Sequence, residues 1–133
     1  MAHILIVEDD AHSAKLLNVR LAHLGHTIMV AQDGAQAFAC IQAQMPDLIL
    51  LDVMLPRMSG FQVLEQLKLN RTTNRIPVLM LTVRTDKQSI RTGMEGGADA
   101  YLSKPIDFPD LFERIETCLR RSTTPALRSS HDE

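Results

Sequence analysis

The chain has 133 residues, 45% of them hydrophobic and 23% charged, which is enough for one full hydrophobic core and too little for two ordinary domains. A formal net charge of −2, from 14 basic and 16 acidic residues, gives no electrostatic case for direct binding of nucleic acid or of an anionic membrane surface. No apolar run is long enough for a membrane span, and Cys40 and Cys118 lack metal-ligand spacing, so we expect a cytoplasmic protein with reduced, structural cysteines.

Five short apolar runs predict the strands of a sheet. They are rich in Ile, Leu and Val and mostly lack polar alternation, which is typical of strands covered on both faces. In chain order, the predicted strands are His3–Val7, Thr27–Ala31, Asp47–Leu51, Ile76–Leu81 and Ala100–Leu102.

Amphipathic stretches between these runs predict five helices, because apolar residues recur in them at helical spacing. In the fourth, Ile90 and Met94 are predicted to be the apolar anchors. Beyond residue 121 the apolar periodicity is lost, so residues 122–133 are predicted to form a flexible tail or the start of a linker. The predicted helices are Ala11–Leu24, Ala35–Gln44, Ser59–Leu69, Asp86–Glu95 and Asp107–Arg121.

The regular alternation of strands and helices predicts an α/β fold in a single domain of residues 1–121. Connections between parallel strands are right-handed, which favours a doubly wound (βα)5 three-layer sandwich. The predicted five-stranded parallel sheet has the flavodoxin-like strand order 2-1-3-4-5. In such sheets the functional crevice lies beyond the carboxyl ends of the strands.

Reactive side chains follow four of the predicted strands. Carboxylates that crowd together repel one another and demand a cation, and Mg²⁺ binds through one or two carboxylates while it keeps water and phosphate oxygens as further ligands. The sequence therefore predicts a metal and phosphate site, in which Asp52 is the nucleophile that forms an aspartyl phosphate. In chain order, the residues are Glu8, Asp9 and Asp10, then Asp52, then Thr82, and finally Ser103, Lys104 and Pro105.

Four motifs, ILIVEDD, DLILLDVMLPRMSG, PVLMLT and GADAYLSKP, end four of the predicted strands. In their order and spacing, the sequence resembles the receiver domain of bacterial two-component response regulators from Met1 to about Arg121. The resemblance implies a signalling domain, not an enzyme acting on external substrates. The domain would accept a phosphoryl group on Asp52 from the phosphohistidine of a histidine kinase or of a phosphotransfer protein.

The same resemblance implies the metal ligands. Asp9 and Asp10 would form the acidic pair that supports Mg²⁺, for which Mn²⁺ can substitute. Asp52 and the backbone carbonyl of Met54 would complete the ligands that the protein supplies. The sequence leaves open an alternative in which Asp9 and Asp10 cap the first helix instead, or in which Asp10 serves both as ligand and as cap.

The resemblance also implies how the signal leaves the site. Thr82 and Lys104 would contact the phosphoryl group, Tyr101 would be the aromatic switch whose rotamer follows Thr82, and the bond before Pro105 would be cis. The surface of the fourth helix, fifth strand and fifth helix would then bind a downstream protein, an output domain or a second copy of the chain. Val83 stands where receivers commonly carry a small residue, which leaves the lifetime of the phosphoryl group open.

Two rival classes share parts of this pattern. A phosphatase of the haloacid dehalogenase type also forms an aspartyl phosphate, but its nucleophile begins a DxD motif after the first strand, whereas Asp52 follows the third strand and Met54 stands two residues later. A flavodoxin-like cofactor binder needs a phosphate-cradling glycine loop after the first strand, which this sequence lacks. The receiver interpretation is therefore favoured.

Overall fold

The structure is a computed structural model that describes residues 1–122. Of the predicted tail, residues 123–133 lie outside the described residues. All ten predicted elements are present in the predicted order. The strands are β1 (His3–Val7), β2 (Thr27–Ala31), β3 (Leu48–Leu51), β4 (Val78–Thr82) and β5 (Ala100–Ser103). The helices are α1 (Ala11–His23), α2 (Gly34–Ala43), α3 (Gly60–Leu69), α4 (Lys87–Glu95) and α5 (Phe108–Ser122).

The five strands form one parallel sheet in the order β2-β1-β3-β4-β5, which confirms the predicted topology. Its register aligns Val7 of β1 with Leu51 of β3, and Thr82 of β4 with Ser103 of β5. The residues that follow these positions therefore meet at one edge of the sheet. This is the carboxyl edge at which a crevice is expected.

Two hydrophobic clusters lie on opposite faces of the sheet because successive strand residues point to opposite sides. Leu5 and Val7 belong to the cluster that includes residues of α2 and α3, while Ile4 and Ile6 belong to the cluster that includes residues of α1 and α5. Strands β1, β3 and β4 are buried throughout, and the edge strands β2 and β5 are partly exposed. The predicted two-sided burial thus holds for the three central strands.

Each of the five helices in the described part of the chain begins at a side chain that accepts a hydrogen bond from its first turn, which satisfies an otherwise unpaired backbone N–H. The capping residues are Asp10, Asp33, Ser59, Asp86 and Asp107. Ser59 forms a full capping box with Gln62. These caps fix where the loops from the carboxyl edge of the sheet end.

Two local expectations from the sequence are wrong. Strand β4 begins at Val78, not Ile76, since Pro77 has no N–H to contribute to the sheet ladder. Helix α4 does not anchor itself through Met94, which is 44% exposed. Its buried residues are Ser89 and Gly93.

Gly93 explains the orientation of α4. A Cβ atom at this position would lie 2.9 Å from Cδ2 of Tyr101, which is closer than real Cβ contacts. A glycine therefore allows α4 to pack directly against the Tyr101 ring.

In the part of the chain that the structure describes, no helix is long and apolar enough to cross a membrane.

The caps predict a dependence of stability on acid pH. The amide of Gln36 and the guanidinium of Arg57 hold the pKa of Asp33 below its ordinary value of 3.8. A carboxyl group with a lowered pKa in the folded state stabilises the fold above its unfolded pKa, and this contribution is lost as the pH falls through the folded pKa. We expect Asp33→Asn to unfold at lower urea concentration than wild type near neutral pH, with the difference shrinking below pH 3.8.

The control is Ser59→Ala, which removes a cap without removing a titratable group. This substitution should lower the unfolding free energy by about 1 kcal/mol, and by the same amount near neutral pH and below pH 3.8. A difference between wild type and Asp33→Asn that stays constant down to pH 2 would contradict the predicted contribution of the Asp33 charge.

Candidate functional site

Two buried carboxylates share one ammonium group at the carboxyl edge of the sheet. Glu8 is 3% exposed and Asp52 is 7% exposed. The Lys104 ammonium donates a hydrogen bond to Oε1 of Glu8 and lies 3.1 Å from Oδ2 of Asp52. The peptide bond between Lys104 and Pro105 is cis, as the resemblance implied.

The charges of this cluster do not cancel. Burial raises the pKa of Glu8, and the neighbouring Asp52 carboxylate raises it further against the opposing hydrogen bond from Lys104. Burial by itself lowers the pKa of Lys104, but its hydrogen bonds to Glu8 and Asp52 outweigh that effect and raise the pKa overall. Lys104 therefore stays charged at neutral pH, and the site keeps an excess of negative charge when both acids are ionised.

The sequence places Glu8 among the acidic residues after the first strand but assigns it no role of its own. The structure places its carboxylate between Lys104 and the start of α1, where Oε2 accepts a hydrogen bond from the Asp10 amide at 3.1 Å. The signal was present in the sequence, since Glu8 directly follows Val7, the register partner of Leu51, and Leu51 directly precedes Asp52. The first acidic residue after a buried strand is the one closest to its sheet neighbours.

Asp9 and Asp10, the predicted acidic pair, are both exposed. The Asp10 carboxylate caps α1, where Oδ2 accepts hydrogen bonds from the Ser13 hydroxyl at 2.7 Å and from the Ser13 amide at 3.2 Å. The Ser13 hydroxyl and amide lower the pKa of Asp10. The structure therefore brings Asp52 and Lys104 together with Glu8, while the Asp10 carboxylate turns away to the helix.

The donor set nevertheless fits a hard divalent cation. Within residues 1–122, no three side chains of the His, Cys, Asp and Glu types lie close enough to hold a metal ion between them. Mg²⁺ needs only one or two carboxylates, and an uncancelled buried carboxylate is the group that it neutralises. The metal ligands Asp9, Asp10, Asp52 and the Met54 carbonyl stay predictions.

The loop after β3 is fixed close to Asp52. Oδ1 of Asp52 accepts a hydrogen bond from the Met54 amide at 3.0 Å, and the Gly60 amide donates to the Val53 carbonyl at 2.8 Å. A Cβ atom on Gly60 would lie 2.1 Å from the carbonyl oxygen of Asp52, so only glycine lets α3 begin here. Arg57 adopts a positive φ of 67° and pairs with the buried Asp33 at the start of α2.

The two predicted switch residues, Thr82 and Tyr101, both contact the backbone of Arg84. Thr82 is fully buried, and its hydroxyl oxygen accepts a hydrogen bond from the Arg84 amide at 3.2 Å. The Tyr101 hydroxyl donates to the Arg84 carbonyl, and burial raises the pKa of Tyr101. The Thr82 carbonyl also accepts from the Lys104 amide at 3.0 Å, which ties the end of β4 to the lysine.

Comparison with known proteins gives one consistent result. Residues 4–116 match the family model described as the response regulator receiver domain. The chain is 38% identical to the DNA-binding dual master transcriptional regulator RpaA of Synechocystis, over 100% of this chain and 55% of that protein. It thus spans about half the length of the curated relatives it matches.

Solved structures agree with the fold. The signal receiver domain of a signal transduction histidine kinase from Syntrophus aciditrophicus superposes with a TM-score of 0.86 at 30% identity, over 92% of this chain and 93% of that chain. The chemotaxis protein CheY4 of Vibrio cholerae gives 0.82 at 29% identity, over 90% of this chain and 99% of that chain. The flavodoxin-like architecture predicted from the sequence is confirmed.

The uncancelled charge predicts a pH dependence in the absence of metal. An acid whose pKa is raised in the folded state costs no stability below its unfolded pKa of 4.5, and its cost grows as the pH rises through the folded pKa. We expect the unfolding free energy of wild type to fall relative to that of Glu8→Gln between pH 4.5 and 8, by about 1.36 kcal/mol for each unit of the pKa rise. Urea denaturation without divalent cations measures both proteins.

Glu65→Gln on the exposed face of α3 is the matched control, because it removes the same charge outside the site. Its unfolding free energy should follow that of wild type over the same pH range. Parallel curves for wild type and Glu8→Gln would show that burial does not penalise the Glu8 carboxylate.

Proposed function

We propose, since this chain belongs to the response regulator receiver domain family, that it accepts a phosphoryl group on Asp52 from the phosphohistidine of a histidine kinase or of a phosphotransfer protein. The observation that carries the proposal is the buried Asp52 carboxylate beside the Lys104 ammonium at the carboxyl edge of the sheet. A nucleophile held next to a fixed cation suits the transfer of an anionic group. The proposed function is that of a signalling domain.

In the transfer, a carboxylate oxygen of Asp52 would form the new O–P bond while the P–N bond to the donor histidine breaks. The electron pair of that bond stays on the histidine nitrogen. Lys104, already 3.1 Å from Oδ2 of Asp52, would offset charge on the transferring oxygens, and the Thr82 hydroxyl would hydrogen-bond one of them. Such catalysis consists mainly of positioning and electrostatics.

Asp9, Asp52 and the Met54 carbonyl are the groups that we propose would hold Mg²⁺ or Mn²⁺, with Glu8 as a further carboxylate nearby. When bound, the ion supplies charge stabilisation at the phosphoryl oxygens. Asp10 would first have to release Ser13, so its part in the site is the weakest of the predicted set. Lys104 would then be shared between Glu8 and the phosphoryl group.

The signal would leave the site through α4, β5 and α5. Phosphorylation adds negative charge and acceptor oxygens, which would draw the Thr82 hydroxyl away from Arg84 and let Tyr101 turn inward. On α4, Ile90 is partly exposed and Met94 is 44% exposed, which gives this surface an apolar component for a protein partner. The partner would be a downstream protein, an output domain or a second copy of the chain.

We further propose that this cytoplasmic receiver does not contact nucleic acid itself. Its net charge of −2 provides no basic surface for phosphate contacts. RpaA is named a DNA-binding regulator and is about twice as long as the segment matched here. In a regulator of that kind, DNA binding would belong to the part that this chain does not match.

The phosphoacceptor role predicts a single modification site. After treatment with acetyl phosphate and Mg²⁺, intact mass should show one acid-labile, phosphate-sized addition on wild type and none on Asp52→Asn, because the nucleophilic oxygen is lost. Asp110→Asn, a charge-matched change on α5, should be modified as wild type is. Labelling of Asp52→Asn at the wild-type level would remove Asp52 from this role.

The metal site predicts a difference between two neighbouring aspartates. At a free Mg²⁺ concentration ten times its Kd, binding should raise the unfolding free energy of wild type by about 1.4 kcal/mol, which corresponds to a rise in Tm of roughly 5 °C. We expect Asp9→Asn and Asp52→Asn to lose this shift and Asp10→Asn to keep it, because asparagine also caps a helix well. Loss of the shift in Asp10→Asn as well would instead establish Asp9 and Asp10 as a pair of ligands.

A further inference from the structure

The loop between β3 and α3 carries the proposed metal ligand Met54 and folds back on its own base. The Val53 carbonyl accepts hydrogen bonds from the Leu55 amide at 3.1 Å and from the Gly60 amide at 2.8 Å. Both ends of the loop therefore meet at Val53, and residues 54–59 project from that base. Met54 is 51% exposed, so the packing of its own side chain does little to hold its backbone in place.

The far end of this loop, residues 56–58, is strained, and we call it the loop tip. Arg57 has a φ of 67°, in the left-handed region that residues with a Cβ atom rarely adopt. The Met58 amide donates to the Pro56 carbonyl at 2.7 Å, which makes Arg57 the centre of a three-residue turn. Turns of this kind with a positive φ at their centre are rare and strained. Such a conformation persists only where the contacts around it fix it.

The residue that caps α2 supplies the polar contact. The Arg57 guanidinium donates to Oδ2 of Asp33, and Oδ1 of the same carboxylate accepts a hydrogen bond from the Gln36 amide at 2.8 Å. The Asp33 side chain is 7% exposed. Its carboxylate is therefore held by the helix and shielded from water, so its pair with Arg57 is screened less than a pair between two exposed side chains.

An apolar contact lies directly beside this ion pair. A Cβ atom on Gly34, the first residue of α2, would lie 3.0 Å from Sδ of Met58 and 3.7 Å from its Cβ. Arg57 and Met58 thus contact the successive residues Asp33 and Gly34. The loop tip is fixed to the start of α2 by two neighbouring side chains, of which Arg57 provides the charge.

The backbone carries this constraint back to Met54. Oδ1 of Asp52 accepts a hydrogen bond from the Met54 amide at 3.0 Å, while the Met54 carbonyl lies in the next peptide plane, which it shares with the Leu55 amide. The hydrogen bond from that amide to the Val53 carbonyl orients the plane and closes a turn of only three residues. A loop tip that leaves α2 would pull on this turn, and rotation of the plane would redirect the Met54 carbonyl.

We propose that Arg57 is a positioning residue for the metal site, because its ion pair with Asp33 fixes the loop tip to α2 and thereby keeps the Met54 carbonyl in one orientation. This inference rests on the proposed role of that carbonyl as a ligand of Mg²⁺. Arg57 acts through the loop and supplies no ligand itself. An ion pair with a merely structural role would stabilise the fold without changing the affinity for the cation.

Arg57→Gly separates these two roles, because glycine adopts a positive φ without steric cost. The variant loses the ion pair and the backbone strain together, so we expect it to fold. Isothermal titration of the unphosphorylated full chain with MgCl₂ should show a Kd for Mg²⁺ about tenfold above that of wild type, as for other groups that orient metal ligands. Removal of a positive charge would by itself lower this Kd, since the cation would meet less repulsion. The predicted change therefore has the opposite sign from the effect of charge alone.

Four further proteins test the cause of the change. Arg71→Gly, the same substitution at an exposed position in the loop between α3 and β4, lies at the opposite edge of the sheet and should bind Mg²⁺ as wild type does. Arg57→Asn also accepts a positive φ and should weaken binding, whereas Arg57→Lys keeps the charge and should lie between Arg57→Gly and wild type. In an Asp33→Asn background, which keeps the α2 cap, Arg57→Gly should weaken binding no further.

The outcomes separate this inference from the proposed function. An unchanged or lower Kd in both Arg57→Gly and Arg57→Asn, with Mg²⁺ bound by wild type, would overturn the role of Arg57 and leave the proposed metal site standing. A full effect of Arg57→Gly in the Asp33→Asn background would also overturn it, because the ion pair would then not be the cause. Absence of Mg²⁺ binding to wild type would overturn the proposed metal site and this inference with it, while the intact-mass experiment tests Asp52 separately.

Discussion

The placement of Lys104 across the sheet edge is the constraint on which the rest of the site depends. Its ammonium comes from β5, yet it contacts Glu8 after β1 and Asp52 after β3, so the lysine passes over the end of β4. This span requires three strands to end at the same level, which the parallel register provides. Any group that joins Asp52 must therefore also meet Lys104.

That arrangement carries an electrostatic cost. Two buried acids and one ammonium leave negative charge in a place where water screens it poorly, and the raised pKa of Glu8 expresses this cost. A cation bound there would remove the cost, which agrees with the proposed metal site and with the proposed phosphoryl transfer to Asp52. Replacing Glu8 or Asp52 with apolar residues would relieve the same cost, but the loss of Asp52 would also remove the proposed phosphoacceptor.

Much of the fold could be predicted from the sequence because its strongest signals are local. Uninterrupted apolar runs indicate the buried strands, and the alternation with helices indicates a parallel α/β sheet, for which 2-1-3-4-5 is a common strand order. The inner face of α4 could not be predicted from its pattern, since Gly93 and Ser89 face inward to fit the Tyr101 ring and the Asp86 cap while Met94 faces outward. Periodicity assumes that large apolar residues define a buried face, and here tertiary packing selected small ones.

The acidic run after β1 shows the same limit at the level of chemistry. Three adjacent acids point in different directions because the chain turns from strand to helix: Glu8 is buried beside Lys104, Asp9 is exposed, and Asp10 caps α1. The sequence indicates that acids are needed there but not which carboxylate serves the helix. Only the register, which sets Glu8 beside Asp52, separates the two tasks. It also explains how Asp10 can cap α1 while Glu8 and Asp52 keep buried negative charge at the sheet edge.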